Sequence, residues 1–335
     1  MNIQENTTTG QRMHSHFRNL LIAGFFSLSV SACAPKGHVT KPTFESGQYT
    51  FTTPKQAVKA LKVALDSHDT AELARIFGPQ SGDLLSSGDG VAASQSFKSF
   101  AEQMNENTEI VERVNQNPAL RNQRLAFLYV GDRRYPFPIA LHKRANGWRF
   151  DTAVGKNELI NRRIGRNEIR AIEAVKKIVD AQRSFNDAQV QEGRAAQYAH
   201  RLFSSSGKQD GLYWEQVAGK PLSPLGAPIA TASSEGYTLE KLKTQRTYHG
   251  YHFAVVTRQG PEARGGAMSY LDAKGRMTKG FGVLAYPAKF GESGIMTFVA
   301  GPDGMIYQKN LGPNTESIAR KMTAINPGLS WLPVQ

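Results

Sequence analysis

The chain has 335 residues, a formal net charge of +13 at neutral pH, a pI near 9.8 and a single cysteine. One cysteine excludes an internal disulfide framework and CxxC redox chemistry, and if that cysteine carries lipid, thiol catalysis and cysteine-ligated zinc as well. In a cytosolic protein the excess of positive charge would suggest nucleic acid, but the N-terminus argues for export and so against that partner.

Arg12 and Arg18 precede an apolar stretch from Leu20 to Val30 that ends in Ser31-Ala32-Cys33. A helical span needs roughly 20 apolar residues, and this run is shorter, as the core of a signal peptide is. Val30-Ser-Ala-Cys33 matches the lipobox, with small residues at the cut and the cysteine that receives diacylglycerol. Residues 1–32 are therefore expected to be a lipoprotein signal peptide, starting at Met1 or Met13, and Cys33 the site of lipid attachment. Ala34 favours the outer membrane, facing the periplasm, in a Gram-negative host. Residues 33–50 read as a tether rich in Pro, Gly, Lys and Thr.

Thr53-Pro54 predicts a helix start, with Ala57, Val58, Leu61, Ala64 and Leu65 on one face. A second helix is capped by Asp69, with Glu72 three residues on, and stopped by Gly78. Ser86–Gly90 reads as a loop and 92–104 as a further helix. Strands are expected at 123–130, 135–143 and 148–152, with turns at Gly131-Asp132 and Asn146-Gly147. Helices followed by an antiparallel meander over 51–160 resemble the nuclear transport factor 2-like fold.

A long helix is expected from Asn167 to Ala188, packing through Ile169, Ile172, Val175, Val179 and Phe185. A shorter helical piece should cover 195–203. Strands are expected at 248–257, 267–271, 280–286, 294–300 and 305–308, the last two joined by a turn at Gly301-Pro-Asp-Gly304. A long helix leading into a small antiparallel sheet over 161–335 is similar to the globular part of type IV pilins. The fold class is α+β throughout.

Several segments together resemble one family of exported bacterial proteins, the domain of unknown function 2950. They are Phe51-Thr-Thr-Pro-Lys-Gln-Ala-Val-Lys-Ala-Leu61, Tyr135-Pro-Phe-Pro-Ile139, Trp148-Arg-Phe-Asp-Thr-Ala153, Asn161-Arg-Arg-Ile-Gly-Arg-Asn-Glu168, Asp210-Gly-Leu-Tyr-Trp214 and Ser223-Pro-Leu-Gly226. Further on stand Tyr248-His-Gly-Tyr251, Gly265-Gly-Ala267, Ala285-Tyr-Pro287, Ser293-Gly-Ile-Met-Thr-Phe298 and Lys309-Asn-Leu-Gly312. Tyr135 departs from the tryptophan expected before Pro-Phe-Pro. The resemblance implies a secreted or lipid-anchored envelope protein and brings no established activity, catalytic residue or cofactor.

The residues themselves offer little catalytic pattern. His249 and His252, three apart in an expected strand, would point to opposite faces and make a poor metal pair; no metal site is expected. Ser205-Ser-Gly-Lys208 satisfies Ser-x-x-Lys, but the companion motifs of penicillin-binding proteins are absent. Phe290-Gly-Glu-Ser-Gly294 reads as a tight turn rather than a nucleophile elbow. Arg162, Arg163 and Arg166, with Arg170 and several glutamates, form the densest charged cluster. They read as a salt-bridged joint between two domains or as an anion or partner site, because guanidinium forks suit carboxylate and phosphate. Tyr213, Trp214 and Tyr251 are candidate aromatic contacts, or core residues.

The function expected is non-enzymatic binding or scaffolding of another envelope component, with a membrane attachment through Cys33 and an envelope protein partner. The alternative is a small-ligand module with its pocket in the first domain, and the third class is an enzyme acting on wall polymers. The oligomeric state is left open by the sequence.

Overall fold

The structure, a computed structural model, describes residues 43–45, 47–114, 123–219 and 221–334; Cys33 and the leader lie outside them. Residues 41–335 form one compact unit. Order begins earlier than Phe51, in a small hairpin of β1 (Thr43–Glu45) and β2 (Gln48–Thr50).

The first helices follow their caps. Thr53 accepts from the Gln56 N–H at 3.2 Å ahead of α1 (Pro54–Asp66), which buries the expected stripe from Ala57 to Leu65. Asp69 accepts from the Glu72 N–H at 2.9 Å ahead of α2 (Thr70–Phe77), and Gly78 ends that helix at φ +80°. A 3-10 turn (Pro79–Ser81) leads into α3 (Gly82–Leu85), and α4 spans Gly90–Glu106.

A five-stranded antiparallel sheet follows. It contains β3 (Thr108–Val114), which the sequence reading did not assign, β4 (Arg124–Val130), β5 (Tyr135–Pro136), β6 (Leu141–Arg144) and β7 (Gly147–Phe150). Its order is β3-β4-β6-β7, with β5 also paired to β4. The single strand expected over 135–143 is split at Pro136-Phe-Pro138, because proline has no N–H to give a ladder. The β6–β7 turn falls on residues 145–146, one residue earlier than expected. Phe77, Phe100, Phe137 and Phe150 knit helices to sheet: Phe100 stacks on Phe137 at 5.0 Å, and Phe77 lies 5.3 Å from Phe150.

The long helix is longer than its apolar pattern suggested. α5 (Thr152–Gln191) has 40 residues, roughly 60 Å at helical rise, and the expected boundary at 160/161 falls inside it. Leu159 packs against the first core, while Ala171, Val175, Ile178, Val179 and Phe185 enter the second. Ile169, expected on the packed face, is 60 % exposed, and Asn167 holds the buried face instead.

The helical piece expected over 195–203 is extended chain. Buried Gln182 captures it, donating to Ala199 O and accepting from Ala199 N, both at 2.8 Å, while Tyr198 N donates to Met277 O at 2.7 Å. Backbone groups satisfied from outside no longer need a helix. Two short helices follow, α6 (Gly226–Ser234) and α7 (Leu239–Gln245).

The second sheet has six antiparallel strands. They are β8 (Thr247–Tyr248), β9 (Tyr251–Val256), β12 (Gly282–Pro287), β13 (Met296–Ala300), β14 (Ile306–Asn310) and β15 (Leu332–Pro333), in the order β15-β14-β13-β12-β9-β8. A separate hairpin joins β10 (Arg258–Gln259) to β11 (Met268–Ser269). The strand expected over 248–257 breaks at His249-Gly250, where φ values of +48° and +75° make the two-residue turn that suits strand twist. The unbroken apolar run of β12 has a simple cause: the sheet is covered on both faces. Val283 and Ala285 face the α5 core, while Leu284 and Tyr286 pack with Ile325, Trp331 and Ala319 of α8 (Thr315–Arg320). Among the described residues no helix is long and apolar enough to cross a membrane.

Candidate functional site: an arginine-lined cleft

A cavity of about 910 Å³ opens between α4 and α5. Its apolar part comes from Leu61 and Leu65 on α1, Leu73 and Phe77 on α2, Phe97 and Phe100 on α4, and Phe137. Its polar part comes from α5, with Arg162, Arg163, Arg166, Asn167 and Arg170, and from His249. Of α4 only Ala101 and Met104 are buried; Phe97 and Phe100 are half-buried along the cleft.

The three arginines expected to act together have separate surroundings. Arg163 is held entirely by backbone: it donates to Asp83 O at 2.6 Å, Leu84 O at 3.0 Å and Glu292 O at 2.9 Å. Burial lowers its pKa while Glu292 opposes the shift. It ties α3 and α5 to the turn before β13. Arg162 pairs with Glu158 at 2.8 Å, one helical turn away, and reaches Pro136 O at 3.3 Å. Arg166 makes no hydrogen bond or ion pair among the described residues. Its pKa is lowered by burial first, then by Arg170 and Arg162. Arg162, Arg166 and Arg170 stand four apart, so like charges line one face of α5, an arrangement that disfavours the helix.

The same stretch of α5 also holds the second half of the molecule. Asn167 donates to Ser293 O at 2.9 Å, and one Glu168 oxygen accepts from the N–H groups of Ile295 (2.9 Å) and Met296 (3.0 Å). Arg163, Asn167 and Glu168 thus fasten α5 to the segment leading into β13 through backbone hydrogen bonds rather than the salt bridges expected of this cluster, and Arg166 lines the cleft.

Arg170, itself about half exposed, reaches into a polar knot around buried His249 at the cleft's end. His249 Nε2 lies 2.9 Å from Glu235 Oε2 and 3.1 Å from Arg170 Nη1. The carboxylate needs a protonated nitrogen and the guanidinium an unprotonated one, so a neutral imidazole satisfies one of them at a time. Burial, then Arg170, lowers the His249 pKa, against the opposing pull of Glu235 and Asp89. Tyr248 donates to Glu235 at 3.0 Å, and burial followed by that carboxylate pushes the phenol pKa up. Asp89 closes the knot: Oδ1 accepts from Val91 N (3.1 Å) and Ala92 N (3.0 Å), and Oδ2 from Tyr237 OH (2.8 Å) and Gly250 N (2.9 Å). Gln95 on α4 donates to Glu235 O. Asp89, Glu235 and Tyr237 were not singled out in the sequence; the one local signal was Asp89-Gly90 immediately ahead of a helix, where an N-cap is expected.

The aromatic candidates are not brought together on an exposed face. Tyr251 is fully buried and donates to Met296 O at 2.9 Å. Tyr213 is half-buried against Phe203, and Trp214 lies edge-on to Phe185 with its indole N–H on Pro221 O at 3.1 Å. Ser205 bonds to Asp210 and Arg201; Lys208 is exposed and its side chain makes no bond among the described residues. Ser293, fully buried, exchanges hydrogen bonds with the Lys289 backbone, as the expected tight turn requires. Among the described residues no group of three or more His, Cys, Asp and Glu is placed to hold a metal ion.

Fold and site together define a mixed α+β protein with an apolar cleft rimmed by arginine. The chain belongs to the family described as protein of unknown function DUF2950, whose model matches residues 48–334. Comparisons with curated proteins and with solved structures gave no match.

Proposed function

We propose that this protein is a non-enzymatic binding module of the bacterial envelope, and that the cleft between α4 and α5 holds an anionic small molecule. The observation that carries the reading is Arg166, a guanidinium with no hydrogen-bond or ion-pair partner among the described residues, lining a cavity between two further arginines. Specific small-molecule sites combine apolar walls with a few placed polar groups, and this cleft has both.

The lipobox-like Val30-Ser-Ala-Cys33 supports anchoring through lipid on Cys33, in the outer membrane of a Gram-negative host. The order of helices and meander in the first half supports comparison with nuclear transport factor 2-like folds. The long helix followed by an antiparallel sheet supports comparison with pilins. A second reading, docking of an envelope protein, is favoured by Val217 and Leu222, which are 58 % and 80 % exposed on the loop after Trp214.

Native mass spectrometry of the full chain, extracted from its own envelope in nonionic detergent, tests the ligand. Wild type should carry a reproducible extra mass that Arg166→Gln loses. A clean wild-type mass, or an adduct indifferent to the substitution, overturns the reading.

A further inference from the structure

We infer that the cleft ligand is an anionic amphiphile, with its head on Arg166 between Arg162 and Arg170 and an aliphatic tail along the Phe97, Phe100 and Phe137 wall. The inference rests on the reading of the cleft as a ligand site and names the chemistry of its occupant.

Three features point the same way. The first is charge. Arg166 stands on the exposed face of α5 where it lines the cavity, and its own charge is disfavoured by partial burial and by the Arg170 and Arg162 charges one turn away on either side. An anion there relieves the repulsion among three like charges on one helix face. Glu158 and Glu235 already engage the two flanking arginines at 2.8 Å and 3.6 Å, so the middle position carries the uncompensated charge.

The second is the wall opposite. Leu65, Leu73, Phe77, Phe97, Phe100 and Phe137 line the same cavity. They come from three helices and the segment between β5 and β6, so the apolar surface is a built pocket rather than one helix face. Leu65, Leu73, Phe77 and Phe137 are already buried, while Phe97 and Phe100 keep apolar area open to the cleft, and a hydrocarbon tail covers that area at a gain set by the surface removed from water.

The third is size. A volume of about 910 Å³ lies near the top of the roughly 300–1,000 Å³ range of small-molecule sites. Inorganic phosphate or acetate would leave most of it empty. A single alkyl chain with a carboxylate or phosphate head uses both the charge and the length.

The test is a titration of the full chain in nonionic detergent, read as adduct populations by native mass spectrometry. The probes are dodecanoate, octanoate and butanoate, dodecyl phosphate beside inorganic phosphate, and uncharged dodecanol. Each added methylene should tighten binding by roughly two- to fourfold, so dodecanoate should exceed butanoate by well over tenfold. Dodecanol should bind at least tenfold more weakly than dodecanoate. Arg166→Gln should abolish that preference for the anion while leaving dodecanol unchanged, and Phe100→Asn should weaken the long probes and spare the short ones.

The relative affinities of dodecanoate and dodecyl phosphate then separate a fatty-acid source from a phosphate-headed lipid. If butanoate and inorganic phosphate bind as tightly as the long probes, the ligand site stands and the amphiphile falls. If dodecanol matches dodecanoate in wild type, the anionic head falls. If no probe binds wild type, both the site and its occupant fall. Arg166→Gln removes no hydrogen bond or ion pair among the described residues, and its melting curve is the control for folding.

Discussion

One oxygen of Asp89 caps α4 and the other receives the Tyr237 hydroxyl at 2.8 Å, across 148 residues of sequence. The same oxygen also accepts from Gly250 N, and the carboxylate is 6 % exposed. One side chain thereby fixes where the cleft-lining helix begins and where the His249 turn sits. Asp89→Ala removes a cap and leaves a buried hydroxyl and an amide without their partner, a loss of about 3–5 kcal/mol when both effects are added. Asp89→Asn keeps the cap but turns an N–H toward the Gly250 N–H, and should cost less. Tyr237→Phe should cost about 1–3 kcal/mol. Urea unfolding of the single and double variants gives the coupling, expected at about 0.5–3 kcal/mol; additive losses would mean that the bond contributes nothing.

Gly155 offers a test in which helix propensity and packing disagree. It lies in the first turn of α5, where alanine is favoured over glycine by up to about 1 kcal/mol. A Cβ at this position would fall against Pro138 O and within 2.7 Å of Ile139 Cα. Those are backbone atoms of the segment carrying Phe137, and they have no rotamer to yield. Overpacking costs about 1–3 kcal/mol, so Gly155→Ala should lower the melting temperature by several degrees. Gly165, with nothing within 4 Å of its added Cβ, is the internal control. There alanine should be neutral or stabilising in the same thermal scan.

The contrast between legible and hidden features follows the range of the interactions involved. The caps Thr53, Asp69 and Gly78 act within four residues, so α1 and α2 could be placed from sequence. The first turns of α5 could not, because their buried positions are sparse: Ile160, Ile164 and Asn167 stand among charged neighbours. The segment 195–203 has helical composition but is pulled straight by Gln182, whose influence no local pattern reveals. The arginine cluster was visible as a cluster. Its division into a structural Arg163, a paired Arg162 and an open Arg166 depends on carbonyls from Asp83 and Glu292, contributed by distant segments.

Acid should loosen the polar knot. Burial and the Arg170 charge hold His249 below the ordinary histidine value of 6.5, so below about pH 6.5 the unfolded chain binds protons that the folded chain refuses. Stability then falls with pH over that window and levels off once the folded histidine also protonates. The groups around the ring are Arg170, Glu235, Asp89, Tyr237 and Tyr248. His249→Asn suits the left-handed backbone at φ +48°, which asparagine tolerates, and should flatten part of the acid slope. His200 and His252, also lowered by burial, should supply the remainder. Urea midpoints between pH 5 and 8 decide it; an unchanged slope in the variant would place the effect elsewhere.

Removal of Arg166 should stabilise the ligand-free protein. Its neighbours Arg162 and Arg170 are like charges at helical spacing, each repelling by about 0.2–0.5 kcal/mol, and it makes no hydrogen bond or ion pair among the described residues. Arg166→Gln should therefore gain roughly 0.4–1 kcal/mol, a rise of about 1–3 °C in melting temperature at this chain length. The same substitution at Arg163, which holds three backbone carbonyls, should lower the melting temperature instead. Opposite signs at two arginines three residues apart would mark one as structural and the other as kept for something outside the chain. If Arg166→Gln is destabilising, Arg166 contributes to the fold, and the case for an open site in the cleft fails with it.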